Sequence, residues 1–377
     1  MPSDFDLHRH LIGQQGSRRA LNTPVLVLDR DALERNIATM AAFARKHGVA
    51  LRPHAKTHKS VDIARLQIAA GAAGVCCAKL GEAETLAEGV VASILITSPV
   101  VTPQAIARLM ALHARMDDLR VVADHPDNVD ALAAGAAPAK PLSVIVDIDP
   151  GIRRTGVGSP EAALALAQRI AAAPSLEFLG VQFYCGAQQH IESYADRKSA
   201  IEERTSYLQG VTEKLKEAGL APRVITGGGT GTHHIDAGLG VLNEWQVGSY
   251  VFMDRQYHDC DLAEGAKPFE TSLFVDAHVI SANAPSMATI DSGFKALSTD
   301  GGSPSIAAGA PETSAFFFMG DEHAALLAPG HEFKLGDAVS LGAPHCDPTV
   351  NLYEAYHIVR GDTLIDIWPV SARGRSR

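Results

Sequence analysis

From about residue 49 to residue 252, short apolar runs rich in Val, Ile and Leu alternate with longer Ala/Leu-rich segments. The short runs read as buried strands, the longer ones as amphipathic helices, and their alternation predicts repeated βα units around a parallel sheet. The strand candidates are 49–51, 74–78, 93–97, 119–123, 142–147, 178–184, 223–226 and 246–252. Eight such strands are what a TIM-type (β/α)8 barrel requires.

Helix starts carry local signals. Thr102-Pro103 and Ser159-Pro160 each offer a capping hydroxyl followed by proline at the first helical position. Ahead of the first barrel strand, Asp31 precedes a helix whose Leu33, Ile37, Met40, Ala41 and Ala44 share one face. After about residue 254 the pattern changes to β-rich stretches at 271–280, 288–291, 312–319, 338–341 and 356–360, separated by Gly/Pro turns. The expected organisation is a barrel over 30–254 and a mainly β-strand domain formed by 1–29 and 255–377, with the strand-like segment 24–28 joining it.

A chain of 377 residues suits one large barrel and a smaller partner domain. Its 33 Lys+Arg against 43 Asp+Glu leave a net charge of −10, which argues against nucleic acid or an anionic membrane as a partner. The start, Met1-Pro2-Ser3-Asp4-Phe5-Asp6, has no apolar signal region, and no stretch is long and apolar enough to span a bilayer. Five cysteines, with Cys76 and Cys77 adjacent, point to reduced thiols. The expectation is a soluble, cytoplasmic enzyme acting on a small molecule.

The candidate chemistry begins at Arg52-Pro53-His54-Ala55-Lys56-Thr57-His58-Lys59, directly after the first barrel strand. A lysine held in a partly desolvated site near cationic neighbours has a depressed pKa, and its free amine can condense with an aldehyde. A basic loop at a strand end is the alternative reading. In a barrel the chemistry sits at the C-terminal strand ends. There the sequence places Lys56, Arg153-Arg154, Tyr184, Gln188-Gln189-His190 and Gly227-Gly228-Gly229-Thr230-Gly231-Thr232, with Gly248-Ser249-Tyr250 inside the eighth strand. The glycine run can form an anion nest from successive N–H groups, or be an ordinary turn.

These motifs, with Gly74-Val75-Cys76-Cys77-Ala78-Lys79, Arg154-Thr155-Gly156-Val157 and Pro344-His345-Cys346-Asp347, together resemble the fold-type III pyridoxal 5'-phosphate enzymes. Their barrel is alanine-racemase-like, and the likeness is to the D-threonine aldolase and D-serine dehydratase branch. The resemblance implies that Lys56, rather than Lys59, bonds the cofactor, Lys59 being a solvated or structural neighbour. Arg154 would bond the cofactor ring and Tyr184 pack beside it, while Thr226, Gly228, Gly229, Gly248, Ser249 and Tyr250 would hold its phosphate. A homodimer is likewise a family expectation, with Asp321 reaching the site across the interface in some members.

His345 and Asp347 read as a metal pair, because residues i and i+2 of an extended segment share one side. Nitrogen plus oxygen ligation suits Mn2+ first, then Mg2+ or Co2+; a simple loop hydrogen-bonding pair is the other reading. The aldolases of the branch carry His-x-Asp here and the dehydratases His-x-Cys, so the resemblance implies PLP- and metal-dependent retro-aldol cleavage of D-threonine and related D-β-hydroxy-α-amino acids. His190 is the candidate proton-transfer group, or else a surface helix-capping residue. The alternatives are D-serine/D-threonine dehydratase activity by β-elimination, and a non-catalytic PLP-binding protein; racemisation has no motif of its own. Among the remaining histidines, His54 and His58 shape the lysine's field, His233-His234 cap a helix, and His8, His10, His47 and His113 read as surface residues. Asp291 and Lys295 read as β-domain residues approaching the barrel mouth, or as a structural ion pair.

Overall fold

The structure is a computed structural model that describes residues 3–89 and 91–377. Met1 and Pro2 of the N-terminal expectation lie outside the described residues. The first strand, β1 (Val25–Asp29), leads straight into a helix over Arg30–His47 capped by Asp29, whose carboxylate accepts from the Ala32 amide at 2.9 Å. The cap is thus Asp29, and Asp31 lies in the first turn; Leu33, Ile37, Met40, Ala41 and Ala44 are all buried, as their spacing requires. Thr102 and Ser159 cap their helices by accepting from Ala105 and Ala162.

Eight parallel strands follow: β2 (Ala50–Leu51), β3 (Val75–Cys77), β4 (Ser93–Ile96), β5 (Asp118–Ala123), β6 (Leu142–Asp147), β7 (Leu176–Phe183), β8 (Val224–Gly227) and β9 (Glu244–Trp245). The ring closes where the chain beyond β2 bonds on both sides. His54 N donates to Val247 O and Ala55 N to Cys76 O, and Cys76 N donates back to Pro53 O. Strand alternation sorts the side chains. Cys76, Leu95, Val122, Ile145 and Leu179 form a cluster of their own inside the barrel, while Cys77, Ile96, Val121 and Val146 join the helices in the main core. At the N-terminal end the fully buried Arg52 pairs with Glu244 at 2.9 Å and donates to Ser93 Oγ at 2.7 Å. A Cβ at Gly74 would strike that guanidinium and the Ser93 carbonyl, so the close approach requires glycine.

The expected strand at 246–252 is displaced: the eighth barrel strand is Glu244–Trp245, just before it. Gly248 leaves the extended region and Ser249–Val251 turn into a 3-10 helix. Val247 still accepts from His54 N, whereas Tyr250, Val251 and Phe252 are buried without pairing in the sheet. Gly248-Ser249-Tyr250 therefore follows the eighth strand instead of lying in it.

The second sheet contains β10 (Leu273–Ala284), β11 (Met287–Ile290), β12 (Ser305–Ala308), β13 (Ala315–Phe318), β14 (Ala324–Leu327), β15 (Ala338–Gly342), β16 (Ala355–Arg360) and β17 (Thr363–Pro369). Its order is β13-β14-β11-β10-β1-β16-β17, with β15 between β10 and β12. β1 runs antiparallel to β10 and parallel to β16, with Val27 opposite both Phe274 and His357. Three strands escaped the sequence reading. Ser305–Ala308 and Ala324–Leu327 are Ala-rich and short, weak in strand propensity, and Thr363–Pro369 follows a tight turn after β16. No helix among the described residues is long and apolar enough to cross a membrane.

Two histidines read as surface residues are interior. His113 is buried against the Lys140 carbonyl, and His8 Nδ1 lies 2.8 Å from His357 Nε2. The Asn22 amide donates to His8 Nε2 at 3.0 Å, and His357 Nδ1 faces the Leu26 carbonyl at 3.3 Å. That chain of bonds needs both rings neutral. Burial pushes His357 down to about 4 from 6.5 and lowers His8 as well. The unfolded chain then binds more protons below pH 6.5, so stability is full above that pH and is lost as pH falls through about 4. At ~1.4 kcal/mol per unit, His357 alone accounts for roughly 3 kcal/mol; His58 and His233, also held near 4 by burial, add in the same sense. Buried Asp147 and Asp236, raised to about 6 and about 7, act in the opposite sense over the same range, so the His357 part is read as the difference in pH slope between the native chain and His357→Gln in urea unfolding. An unchanged slope in that variant would remove His357 from the account.

Candidate active site

Lys56 reaches the barrel mouth because residues 52–55 are bonded on both sides, to β9 and β3, and the chain then turns sharply, with Lys59 N donating to Ala55 O at 2.7 Å. Its Nζ lies 3.1 Å from Asp347 Oδ2, with 39% and 15% of the two side chains exposed. The Asp347 carboxylate raises the lysine pKa against the opposing effect of burial. The depression expected from cationic neighbours is thus reversed, because the dominant neighbour is the Asp347 carboxylate. Burial alone would raise the Asp347 carboxyl, but Lys56 and then His345 hold it down at about 2. Lys59 is neither solvated nor facing the mouth: its Nζ donates to the buried Glu82 at 2.6 Å.

Around Lys56 stand the other strand ends. The Arg154 guanidinium lies 5.5 Å from the centre of the Tyr184 ring, and Tyr184 is a near charge neighbour of Lys56. Beneath them Gln182 donates to Asp147 at 2.9 Å and to the Thr97 carbonyl, while Gln246 donates to Gln182 and to Thr226 Oγ1 at 3.1 Å. Burial pushes Asp147 up to about 6. Thr226 belongs to this buried polar layer. His190 is exposed at the rim, its ring 4.5 Å from that of Tyr257; partial burial, then His345 and Lys56, lower its pKa.

The glycine loop after β8 is fixed from within. Gly229 N donates to Thr232 Oγ1, Gly231 N to Gln189 Oε1, and Tyr250 N to Thr230 Oγ1. Tyr250 also commits its phenol, which accepts from Gln67 at 3.0 Å. Among the described residues, the amides of Gly228, Thr230, Gly248 and Ser249 find no protein acceptor. Buried amides of this kind need a partner, and four of them in the loops after β8 and β9 are donors of the kind that an anion such as a phosphate can accept from. Thr230 was not among the sequence candidates. A Cβ at Gly248 would come within 2.8 Å of Thr57 Oγ1, so glycine lets the loop approach the Lys56 turn. A lysine facing a carboxylate, an Arg–Tyr pair and an amide nest fit an aldehyde-bearing ring with a phosphate arm.

His345 and Asp347 do not lie on an extended segment. His345 is extended (φ −140°, ψ 122°), but it caps a helical turn over Cys346–Val350 that carries Asp347. Their relative placement is set by that turn. Asp254, missed in the sequence, anchors it by accepting from the Cys346 amide at 2.8 Å and from Tyr257 N at 3.2 Å. Asp300 was missed as well: its Oδ2 lies 2.7 Å from His345 Nδ1. Among the described residues no three His, Cys, Asp or Glu side chains are grouped to hold a metal. The donor set of one imidazole and one carboxylate fits a hard divalent ion that keeps most positions for water.

Asp291 and Lys295 are placed away from this chemistry. Asp291 accepts from Thr23 at 2.6 Å and from the His278 amide within the second sheet, and Lys295 pairs with Glu322 at 2.6 Å. A cavity of about 670 Å³ opens in the same sheet, lined by Arg18, Asp276, His278 and Ser340. Arg18 is neutralised there by Asp276 at 2.7 Å, and the convergent polar groups remain around Lys56.

Comparison with known proteins agrees with this layout. Residues 28–256 match the family model "Alanine racemase, N-terminal domain", and residues 272–359 match "Putative serine dehydratase domain". The chain is 39% identical over 361 residues to 3-hydroxy-D-aspartate aldolase of Paracoccus denitrificans (strain Pd 1222), covering 94% of this chain and 93% of that one. It is 38% identical over 360 residues to D-threonine aldolase of an Arthrobacter species, covering 95% and 94%. The crystal structure of D-threonine aldolase from Filomicrobium marinum superposes with a TM-score of 0.90 at 36% identity, covering 94% of this chain and 97% of that one.

Proposed function

Because the chain belongs to the family of alanine-racemase-type barrels, joined here to a serine-dehydratase-type domain, we propose that it is a carbon–carbon lyase cleaving D-threonine and related D-β-hydroxy-α-amino acids to glycine and an aldehyde. The observation that carries the reading is Lys56 Nζ 3.1 Å from Asp347 at the barrel mouth. Pyridoxal 5'-phosphate bound through Lys56 would supply the sink for the electron pair released when Cα–Cβ breaks.

In this reading the free amides of Gly228, Thr230, Gly248 and Ser249 bind the phosphate; Gly229, whose amide is held by Thr232, and Tyr250, whose amide is held by Thr230, shape the loop, and Thr226 lies in the polar layer beneath. Arg154 bonds the ring and Tyr184 packs against it. His190, at the rim and held neutral, takes the proton from the substrate β-hydroxyl as the Cβ–O bond becomes a carbonyl and Cα–Cβ opens. A proton returned to Cα completes glycine. His345 and Asp347 would hold the divalent ion, Mn2+ before Mg2+ or Co2+, which supplies positive charge for the substrate's β-oxygen. Carboxylate Asp347 in the His-x-Asp motif, where the dehydratase branch carries a thiol, favours cleavage over β-elimination.

The same reading takes the enzyme as cytoplasmic, without nucleic-acid or membrane partners, and divided at about residues 29 and 254. It also takes the enzyme as a homodimer: Phe317 and Met319, two residues apart at the end of β13, stand 54% and 53% exposed, apolar surface that suits a second copy.

The test is to incubate the protein with PLP and Mn2+, with and without EDTA, using D-threonine and 3-hydroxy-D-aspartate as separate substrates. Glycine with acetaldehyde or glyoxylate, lost on adding EDTA, is the expected result. Ammonia with a 2-oxo acid would replace the proposal by elimination. Bound cofactor without any product would replace it by a non-catalytic binding role.

A further inference from the structure

We propose that Asp300 is the positioning residue of the metal site, fixing His345 so that Nε2 is the metal-binding nitrogen. The inference rests on the metal reading above and adds to it a second shell of protein groups. The loop over residues 298–301 grips His345 at three levels. Ser298 Oγ donates to the His345 carbonyl at 3.0 Å and accepts from the His345 amide at 3.1 Å. Thr349 Oγ1 donates to that same carbonyl at 2.8 Å and accepts from Ser298 N at 3.1 Å. The Asp300 carboxylate then takes the ring at Nδ1, 2.7 Å away.

Glycine at position 301 makes the grip possible. A Cβ there would lie 2.7 Å from the Pro344 carbonyl and 3.1 Å from the His345 Cβ, forcing the loop away from the ring. Among the described hydrogen bonds the half-exposed Asp300 carboxylate has His345 as its one partner. A carboxylate on Nδ1 holds the proton there, leaves the Nε2 lone pair free, and strengthens that nitrogen as a donor. No described hydrogen bond reaches Nε2. Asp300 therefore acts through His345, and its removal lowers metal affinity more than turnover at saturating metal.

The test is a Mn2+ titration of the PLP-loaded enzyme, reading free Mn2+ by electron paramagnetic resonance, for the native chain and for His345→Ala, Asp300→Ala and Asp300→Asn. We expect His345→Ala to abolish the site and Asp300→Ala to weaken it roughly 10- to 100-fold. Asp300→Asn, whose amide oxygen still accepts from Nδ1–H, should recover most of the loss. In parallel, nitrogen-15 spectra of the metal-free native protein at alkaline pH should show His345 protonated on Nδ1, a readout that needs no variant to fold. Native-like affinity in Asp300→Ala, or a proton on Nε2, would overturn the role of Asp300 while leaving His345 as a ligand. Failure of the native protein to bind Mn2+ would overturn the metal site and this inference together.

Discussion

Lys56→Arg should reduce D-threonine cleavage by on the order of 10⁴-fold or more, the scale on which covalent catalysis fails when its nucleophile is lost. Arginine keeps a cation opposite Asp347, whose carboxylate lies 3.1 Å from the native ammonium, so thermal stability should stay near native. A guanidinium stays protonated and cannot condense with an aldehyde. The effect is then chemical and not one of folding. Borohydride reduction of the loaded native enzyme should place the adduct on Lys56 in a peptide map, and none should form in the variant. Substantial activity in Lys56→Arg, or label on Lys59, would refute the assignment.

The neighbouring lysine should behave in the opposite way. Lys59 and Glu82 form a buried pair at 2.6 Å, with the side chains 8% and 4% exposed. Glu82 further accepts from the amides of Ala78 and Lys79, and Lys59 O accepts from Ala372 near the C-terminus. Lys59→Ala strands a carboxylate in the interior, a change that costs about 3–5 kcal/mol. Equilibrium unfolding should show that loss, while the remaining folded enzyme turns over normally. The double variant Lys59→Met with Glu82→Leu, which removes both charges, should recover much of it. Native stability in Lys59→Ala would mean that water reaches Glu82.

Much of the barrel could be read from the chain because parallel strands covered on both faces are near-continuous apolar runs. The runs around Val121, Val144 and Val181 contain little else. The same rule misled at 246–252, where residues are apolar for packing while Gly248 breaks the extended path. Strand-end logic brought Lys56, Arg154, Tyr184 and His190 to one mouth, since the C-terminal end of each strand opens there. What the chain did not display were pairings between distant segments. Asp300 meets His345, and Glu82 meets Lys59, only through the second sheet and the barrel turn respectively. A buried carboxylate and an exposed one look alike in a sequence. The reversed pKa of Lys56 has the same origin, because Asp347 is nearly three hundred residues away in the chain but first in its surroundings.

The placement of β1 between β10 and β16 also bears on how the protein is made. Val25-Leu26-Val27-Leu28 is synthesised before the whole barrel, yet its partners Phe274 and His357 are made only after it. Throughout synthesis of the barrel this apolar strand has both edges open, the condition under which strands join the wrong neighbour. Completion of the second sheet therefore waits until β16 has been made, and during that interval β1 must be kept from other partners.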